Sequence, residues 1–143
     1  MITMKFGGTS VGDLQRLRDV VSIVRSHLSL KPLVVASAMS GVTDMLLETA
    51  QLAVRRENAR VEENIKSLTS KHFEVASSLI EDAQRRKELS GRETALFKDL
   101  ANLFRGVGLL RELSVRSLDA IAAYGEILSC LQIAAVLNEN GIA

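Results

Sequence analysis

Lys5, Gly7, Gly8, Thr9 and Ser10 stand together in the stretch MKFGGTSVGD, at the end of a short apolar segment and just ahead of an amphipathic pattern. Two glycines let a backbone approach a ligand closely. A helix opening after them would turn unpaired N–H groups and its positive dipole end toward whatever binds. The charge of Lys5 on the same side favours phosphate over a lone carboxylate. Neither of the commoner phosphate motifs is present. A Walker A loop needs lysine and then a hydroxyl residue after its second glycine, but Asp13 and Leu14 follow Gly12, and the G-x-G-x-x-G spacing of a dinucleotide fingerprint is missing. On local grammar alone the stretch is equally a strand-to-helix turn with Thr9 or Ser10 as N-cap and Lys5 solvated.

A second stretch repeats the layout. SAMSGVTD, Ser37 to Asp44, places Ser37, Ser40 and Thr43 around Gly41 just before another helical pattern. Taken singly, these residues are ordinary caps and turn formers. If the strands leading into both stretches are neighbours in a parallel sheet, however, both turns lie on the carboxyl rim, where ligands of open α/β sheets bind. The third candidate is Glu126 in DAIAAYGEILSCLQIAAVL, which is apolar nearly all round and so reads as a buried helix. A carboxylate there must meet a cation, be protonated or face a polar cleft. The structural alternative is an ion pair with Arg111 or Arg116. Gly125 leaves room for a ligand or a neighbouring backbone, and Cys130 reads as a small buried hydrophobe.

The elements that must position these groups follow from periodicity. Residues 2 to 6 alternate, with Ile2, Met4 and Phe6 on one face and Thr3 and Lys5 on the other, as in a strand. Leu14, Leu17, Val20, Val21 and Val24 recur at three and four residues, predicting a helix from Val11 to about Leu28. Lys31-Pro32 stops it, and Leu33 to Ala36 reads as a strand buried on both faces. Strand, helix and strand in this order imply a parallel pair and an α/β fold. A further helix is expected from about Thr43 to Arg55. Beyond it, Val61, Ile65, Leu68, Val75, Leu79 and Ala83, then Leu96, Leu100, Leu103, Val107 and Leu110, predict two long antiparallel helices joined around Ser90-Gly91. His72 falls on the apolar seam as a hydrogen-bonded core histidine, and Gly106 and Gly108 suggest close helix packing or simply a weakened turn. The last helix is expected from about Ser117 to Asn138.

Composition excludes several classes. Apolar residues make up 47% of the 143 residues and charged ones 24%, which argues for a packed core. A net charge of +1 and 3% aromatics give nucleic acid neither a counterion-releasing surface nor stacking platforms. One cysteine rules out an internal disulfide framework. With no cationic leader, the cytoplasm is the expected compartment, and with no uninterrupted apolar run of about 18 residues no membrane span is expected.

KFGGTSVGD, VVASAMSGVTDMLL and RSLDAIAAYGEILS, in this order and over the whole chain, resemble the amino-terminal part of the aspartate kinases, within the amino acid kinase family. The resemblance implies a three-layer αβα fold, with residues 1–143 supplying the amino-terminal portion of its catalytic domain as a parallel strand pair and a large helical part. It also implies transfer of the ATP γ-phosphoryl group to the side-chain carboxylate of L-aspartate, with Mg2+ carried by the nucleotide, in a homo-oligomer. By the same resemblance Lys5 stabilises the transferring phosphoryl group, and Lys5, Phe6, Gly7, Gly8, Thr9 and Ser10 form the phosphate-binding stretch. Ser37, Ala38 and Thr43 match aspartate-binding positions, and Glu126 matches the acid that receives the substrate amino group.

Members of this family are longer, and the parts that hold adenine, a second phosphate-contacting lysine, the substrate carboxylate and regulatory ligands are not in this stretch. The chain is therefore expected to be part of a larger enzyme, inactive by itself and exposing apolar surface. Asn140-Gly141 reads as a helix C-cap, and Ile142-Ala143 as the start of another strand. Two other readings stand beside this one: a sister enzyme acting on glutamate, carbamate or a nucleotide, and a non-catalytic helical interaction module.

Overall fold

The structure, a computed structural model, describes residues 1–142. Strands β1 (Ile2–Phe6) and β2 (Pro32–Ala36) pair in parallel, with Ile2 opposite Pro32 and Phe6 opposite Ala36. Helix α1 (Leu14–Ser26) makes the crossover between them, and its stripe Leu17, Val20, Val21 and Val24 is buried as the three-four spacing requires. Four more helices follow: α2 (Val42–Val54), α3 (Asn58–Leu79), α4 (Ala83–Leu110) and α5 (Val115–Glu139). This is the expected α/β class, with helices packed on one face of the sheet. Its opposite face, carrying Thr3, Lys5, Leu33 and Val35, is open. Leu33 is 55% and Val35 40% exposed, so β2 is not buried on both faces in this chain. The uninterrupted apolar run of β2 gives it two apolar faces, but burial requires a second layer over the outer one.

The long helices depart from expectation at their junction. Ser90-Gly91 lies inside α4, and the chain turns at Ile80–Asp82 instead. A helical glycine costs about 1 kcal/mol relative to alanine, too little to break a helix held by tertiary packing. The actual turn is fastened by polar groups: the Asp82 side chain caps α4 by accepting from the Arg85 N–H (2.9 Å), and Glu139 of α5 accepts from the backbone N–H of Glu81 (2.9 Å) and Asp82 (3.0 Å). The buried stripe of α4 is Leu89, Glu93, Phe97, Leu100, Phe104 and Val107, whereas Leu103 and Leu110 are exposed. Gly108 bears out the expected close packing, since a Cβ there would lie 3.1 Å from the Ala53 carbonyl of α2, but Gly106 does not, with nothing within 4 Å of where its Cβ would be because it faces away from the neighbouring helices. Helix α5 ends as expected: Asn140 is its C-cap, Gly141 takes φ +73, and the Ile142 N–H returns to the Leu137 carbonyl at 2.9 Å. Ala143 lies outside the described residues.

At the centre of the helical layer sits a polar cluster that periodicity only half revealed. His72, Glu93 and Gln132 are fully buried. The Gln132 amide of α5 donates to the His72 carbonyl of α3 (2.9 Å) and to Oε1 of Glu93 on α4 (2.7 Å), and His72 Nδ1 contacts the Leu68 carbonyl at 2.7 Å. The imidazole stands edge-on to Phe97, with ring centroids 5.4 Å apart. Burial pushes the Glu93 carboxyl above the usual range, against the Gln132 bond; burial also pushes His72 down, helped by the neighbouring Lys71 charge and opposed by the Leu68 bond.

Stability therefore depends on pH in two senses. Below about 4.5, the ordinary glutamate value, Glu93 is protonated folded or unfolded. As pH rises above it the unfolded chain gives up the proton first, so the Glu93 contribution is lost. His72 acts oppositely, its contribution being lost as pH falls below about 6.5. Glu93→Gln keeps the shape of the protonated acid but cannot ionise. Its melting temperature relative to the parent is expected to be higher at pH 8 than at pH 5; a difference independent of pH would contradict the buried neutral acid.

Candidate functional site

Both turns lie on the carboxyl rim of the parallel pair. After Phe6, Gly7 is extended (φ −76°, ψ 171°) and Gly8–Val11 forms one 3-10 turn, closed by the Ser10 N–H on the Gly7 carbonyl at 2.9 Å. Helix α1 does not open directly behind the glycines. It begins at Leu14 with Asp13 as N-cap, whose carboxylate accepts from the Arg16 N–H at 2.9 Å. Thr9 and Ser10 are therefore not its caps, and the dipole end of α1 already holds a carboxylate. The physical reason is that Asp caps as well as Ser, and the 3-10 turn consumes the residues between. What remains for an anion is the turn itself: nothing lies within 4 Å of where a Gly7 Cβ would be, while Thr9 is exposed and Ser10 half-buried. Phe6 is 7% exposed, its side chain packed in the core and its carbonyl engaged by the Ser37 N–H at 3.0 Å.

The second turn is locked into the first. A Cβ on Gly8 would meet the Ala38 carbonyl at 3.0 Å, and one on Gly12 would meet the Ser40 side chain at 3.2 Å. Gly41, at φ +78°, is the N-cap of α2 and no side chain caps this helix, so Ser40 and Thr43 are not caps. Ser37 and Thr43 are half-buried beside the buried Ala38. From the far end of the chain, α5 brings Gly125 onto the same turn: a Cβ there would fall 2.7 Å from the Ala38 Cβ and 3.4 Å from Val42 Cγ1. Stretches well separated in sequence thus converge on Ala38.

Glu126 follows Gly125 but is exposed, as is Cys130, and Ile127 is 47% exposed. The expectation of a buried acid is overturned. α5 is long and apolar enough to cross a membrane by length and composition, yet only part of it is inside, along Ile121, Gly125, Leu128, Ser129, Gln132, Ile133 and Val136. High mean hydropathy hid which side was covered, because Ala120, Ala123, Ile127 and Ala134 sit on the uncovered side as well. Among the described residues Glu126 forms no ion pair, so the alternative with Arg111 or Arg116 is not realised either.

Lys5 is exposed on the open face of β1, as alternation required. A second lysine reaches the turns from the helical side and was not legible in the sequence: Lys71 of α3 donates to the Ser40 carbonyl at 2.6 Å. Nothing in its local pattern distinguishes it from the other charged residues of α3. Clefts of about 420 to 500 Å3 lie elsewhere, between helices or, in one case, between β2 and helices α1 and α5, and none of these is lined by the two turns. Among the described residues no cluster of three or more His, Cys, Asp or Glu is placed to hold a metal ion.

The model of the amino acid kinase family matches residues 1–143. Aspartokinase 3, chloroplastic, of Arabidopsis thaliana is 34% identical over 141 residues, covering 96% of this chain and 24% of that protein. Two crystal structures of E. coli aspartokinase III are similar. One, in complex with lysine and aspartate, superposes with a TM-score of 0.86 at 25% identity over 100% of this chain and 30% of its own. The other, in complex with aspartate and ADP, gives 0.82 at 26% identity over 99% and 29%. The chain thus spans about a quarter to a third of the length of these relatives.

Proposed function

Because this chain belongs to the amino acid kinase family, we propose that the protein containing it transfers the γ-phosphoryl group of ATP to the side-chain carboxylate of L-aspartate. The product would be 4-phospho-L-aspartate, the first intermediate toward lysine, threonine and methionine. Residues 1–143 would be the amino-terminal portion of the catalytic domain, supplying the phosphate turn and most of the aspartate site. The observation that carries this reading is the convergence on the β2–α2 turn of Gly8 and Gly125, which approach Ala38, and of Gly12, which approaches Ser40, three positions where a side chain would collide with that turn. Such fitted approaches keep the rim groups of β1, β2 and α5 in one place.

The reaction brings a carboxylate and a polyphosphate together, so catalysis is a matter of charge and placement. Lys5 stabilises charge on the transferring group from the open side of the sheet. Gly7, Gly8, Thr9 and Ser10 offer backbone N–H groups and hydroxyls to the phosphates, the open space over Gly7 allowing close approach. Mg2+ bound to the nucleotide supplies further charge neutralisation. Ser37, Ala38 and Thr43 hold the aspartate from the second turn. Glu126, exposed and free of a protein cation, accepts the substrate ammonium. A homo-oligomer and a cytoplasmic location belong to the same proposal, the Arabidopsis relative being chloroplastic.

Glu126→Gln in the complete protein tests the assignment. It keeps the side-chain shape and loses a charge-assisted bond of roughly 1.5 to 3 kcal/mol, so the aspartate KM is expected to rise about tenfold to a hundredfold with the ATP KM little changed. Unchanged aspartate kinetics would remove Glu126 from the site. A panel of acceptors (aspartate, glutamate, carbamate and nucleoside monophosphates) decides the substrate itself.

A further inference from the structure

Ser40 sits in the middle of the turn that carries Ser37, Ala38 and Thr43, and it is held from two sides. On one side Gly8 and Gly12 fit against it: a Cβ on Gly12 would be 3.2 Å from the Ser40 Cβ, and one on Gly8 would be 3.9 Å from the Ser40 nitrogen. On the other, the Lys71 ammonium donates to its carbonyl at 2.6 Å across 31 residues of sequence. The next residue, Gly41, is in the left-handed region and caps α2, and the Val42 N–H closes the turn on the Met39 carbonyl at 3.0 Å. The peptide that Lys71 grips is thus the one whose orientation sets both the turn and the start of α2.

Lys71 is itself well supported. Its neighbour His72 points into the protein and is fully buried in the cluster with Gln132 and Phe97, which fixes the rotation of α3 about its axis. Half-buried, Lys71 emerges from that anchored turn toward the rim. Among the described residues it forms no ion pair, so its charge is spent on a neutral carbonyl and is not offset by a protein carboxylate. A charge-assisted bond of this kind is worth more than a neutral one, and leaving a lysine charge without an acid partner is consistent with a neighbourhood that receives anions.

We propose that Lys71 is a positioning residue for the aspartate site: by clamping the Ser40 carbonyl from α3 it holds the Ser37–Thr43 turn in its binding geometry against Gly8 and Gly12. This deepens the kinase reading above and rests on it for its kinetic consequence, though not for the contact itself. Without the clamp the turn retains its glycine packing and loses its outer tether, so the cost falls on the groups that bind aspartate before it falls on those that bind ATP.

Two measurements test it in the complete protein. In Lys71→Met the aspartate KM is expected to rise about tenfold, as for loss of one charge-assisted bond, with kcat and the ATP KM within about threefold; Lys71→Arg, which keeps a charged donor, is expected to recover most of the loss. Independently of any substrate, the Val42 amide is expected to exchange its hydrogen about tenfold faster in Lys71→Met. An unchanged aspartate KM and unchanged Val42 exchange overturn the proposal, and so does a fall in melting temperature that Lys71→Arg reverses without any effect on aspartate KM. Should Lys71→Met fail to fold, Lys71→Gln is judged by the same criteria. If the parent protein phosphorylates no aspartate, the kinase reading fails and the exchange measurement alone decides: faster Val42 exchange supports Lys71 as the anchor of the turn, and unchanged exchange overturns it.

Discussion

Replacing Lys5 with alanine in the complete enzyme is expected to lower kcat by about two to three orders of magnitude, the usual cost of removing one donor aimed at charge that develops in the transition state. The expectation rests on where Lys5 stands. It is near the carboxyl end of β1, immediately before the turn that Gly7 opens, and its side chain lies on the exposed face of the sheet, among the described residues without a salt-bridge partner. A lysine so placed adds nothing to the core, so the melting temperature of Lys5→Ala should stay close to that of the parent. Lys5→Arg keeps the charge but moves it outward on a planar group, and should recover only part of the rate. Steady-state phosphorylation of aspartate at saturating ATP reads both variants. A fall of less than tenfold in kcat for Lys5→Ala would mean that Lys5 does not face the transferring group.

Gly125→Val is expected to be the most damaging single substitution on α5. Even one added carbon would sit 2.7 Å from the Ala38 Cβ, a contact that cannot be relieved by rotating a side chain because alanine has none to rotate. Valine adds further methyls toward Val42 and Leu46, already 3.4 and 3.5 Å from the first. Either α5 moves away from the β2–α2 turn or the turn moves away from Gly8. Overpacking of this kind costs about 3 kcal/mol and is expected to lower the melting temperature by several degrees. Since Glu126 travels with Gly125 and Ala38 belongs to the turn, the aspartate KM should rise in the same variant. A Gly125→Val protein with parental stability and parental aspartate KM would show that α5 does not need to approach Ala38 so closely. The milder Gly125→Ala, in which helix propensity returns about 1 kcal/mol, should fall between the two.

The parts of this fold whose signal is local were legible in the residues. Alternation at residues 2 to 6 and the apolar run before Ser37 specified two strands, and the three-four rhythm of Leu17, Val20, Val21 and Val24 specified the helix between them, hence the parallel pair. The Asn140-Gly141 cap was equally legible, because a left-handed residue after a helix is a property of glycine and needs no distant partner. The turns after the two strands were visible as glycine and hydroxyl clusters. How those clusters pack against one another depends on long-range contacts. Periodicity reports which face of a helix is apolar and not what covers it, so Glu126, Ile127 and Cys130 belong to a helix that reads as buried and yet stand outside the core, while Glu93, which no local pattern marks, is buried. Propensity marked Gly91 as a break, and the packing of α4 on its neighbours carried the helix through it. The locking of Gly8 and Gly12 onto the second turn, the arrival of Gly125 at Ala38 and the reach of Lys71 to Ser40 all join residues far apart in the chain. Contacts of that kind depend on how layers stack and how close two backbones come, to within a few tenths of an ångström, and no local pattern of residue types encodes that distance.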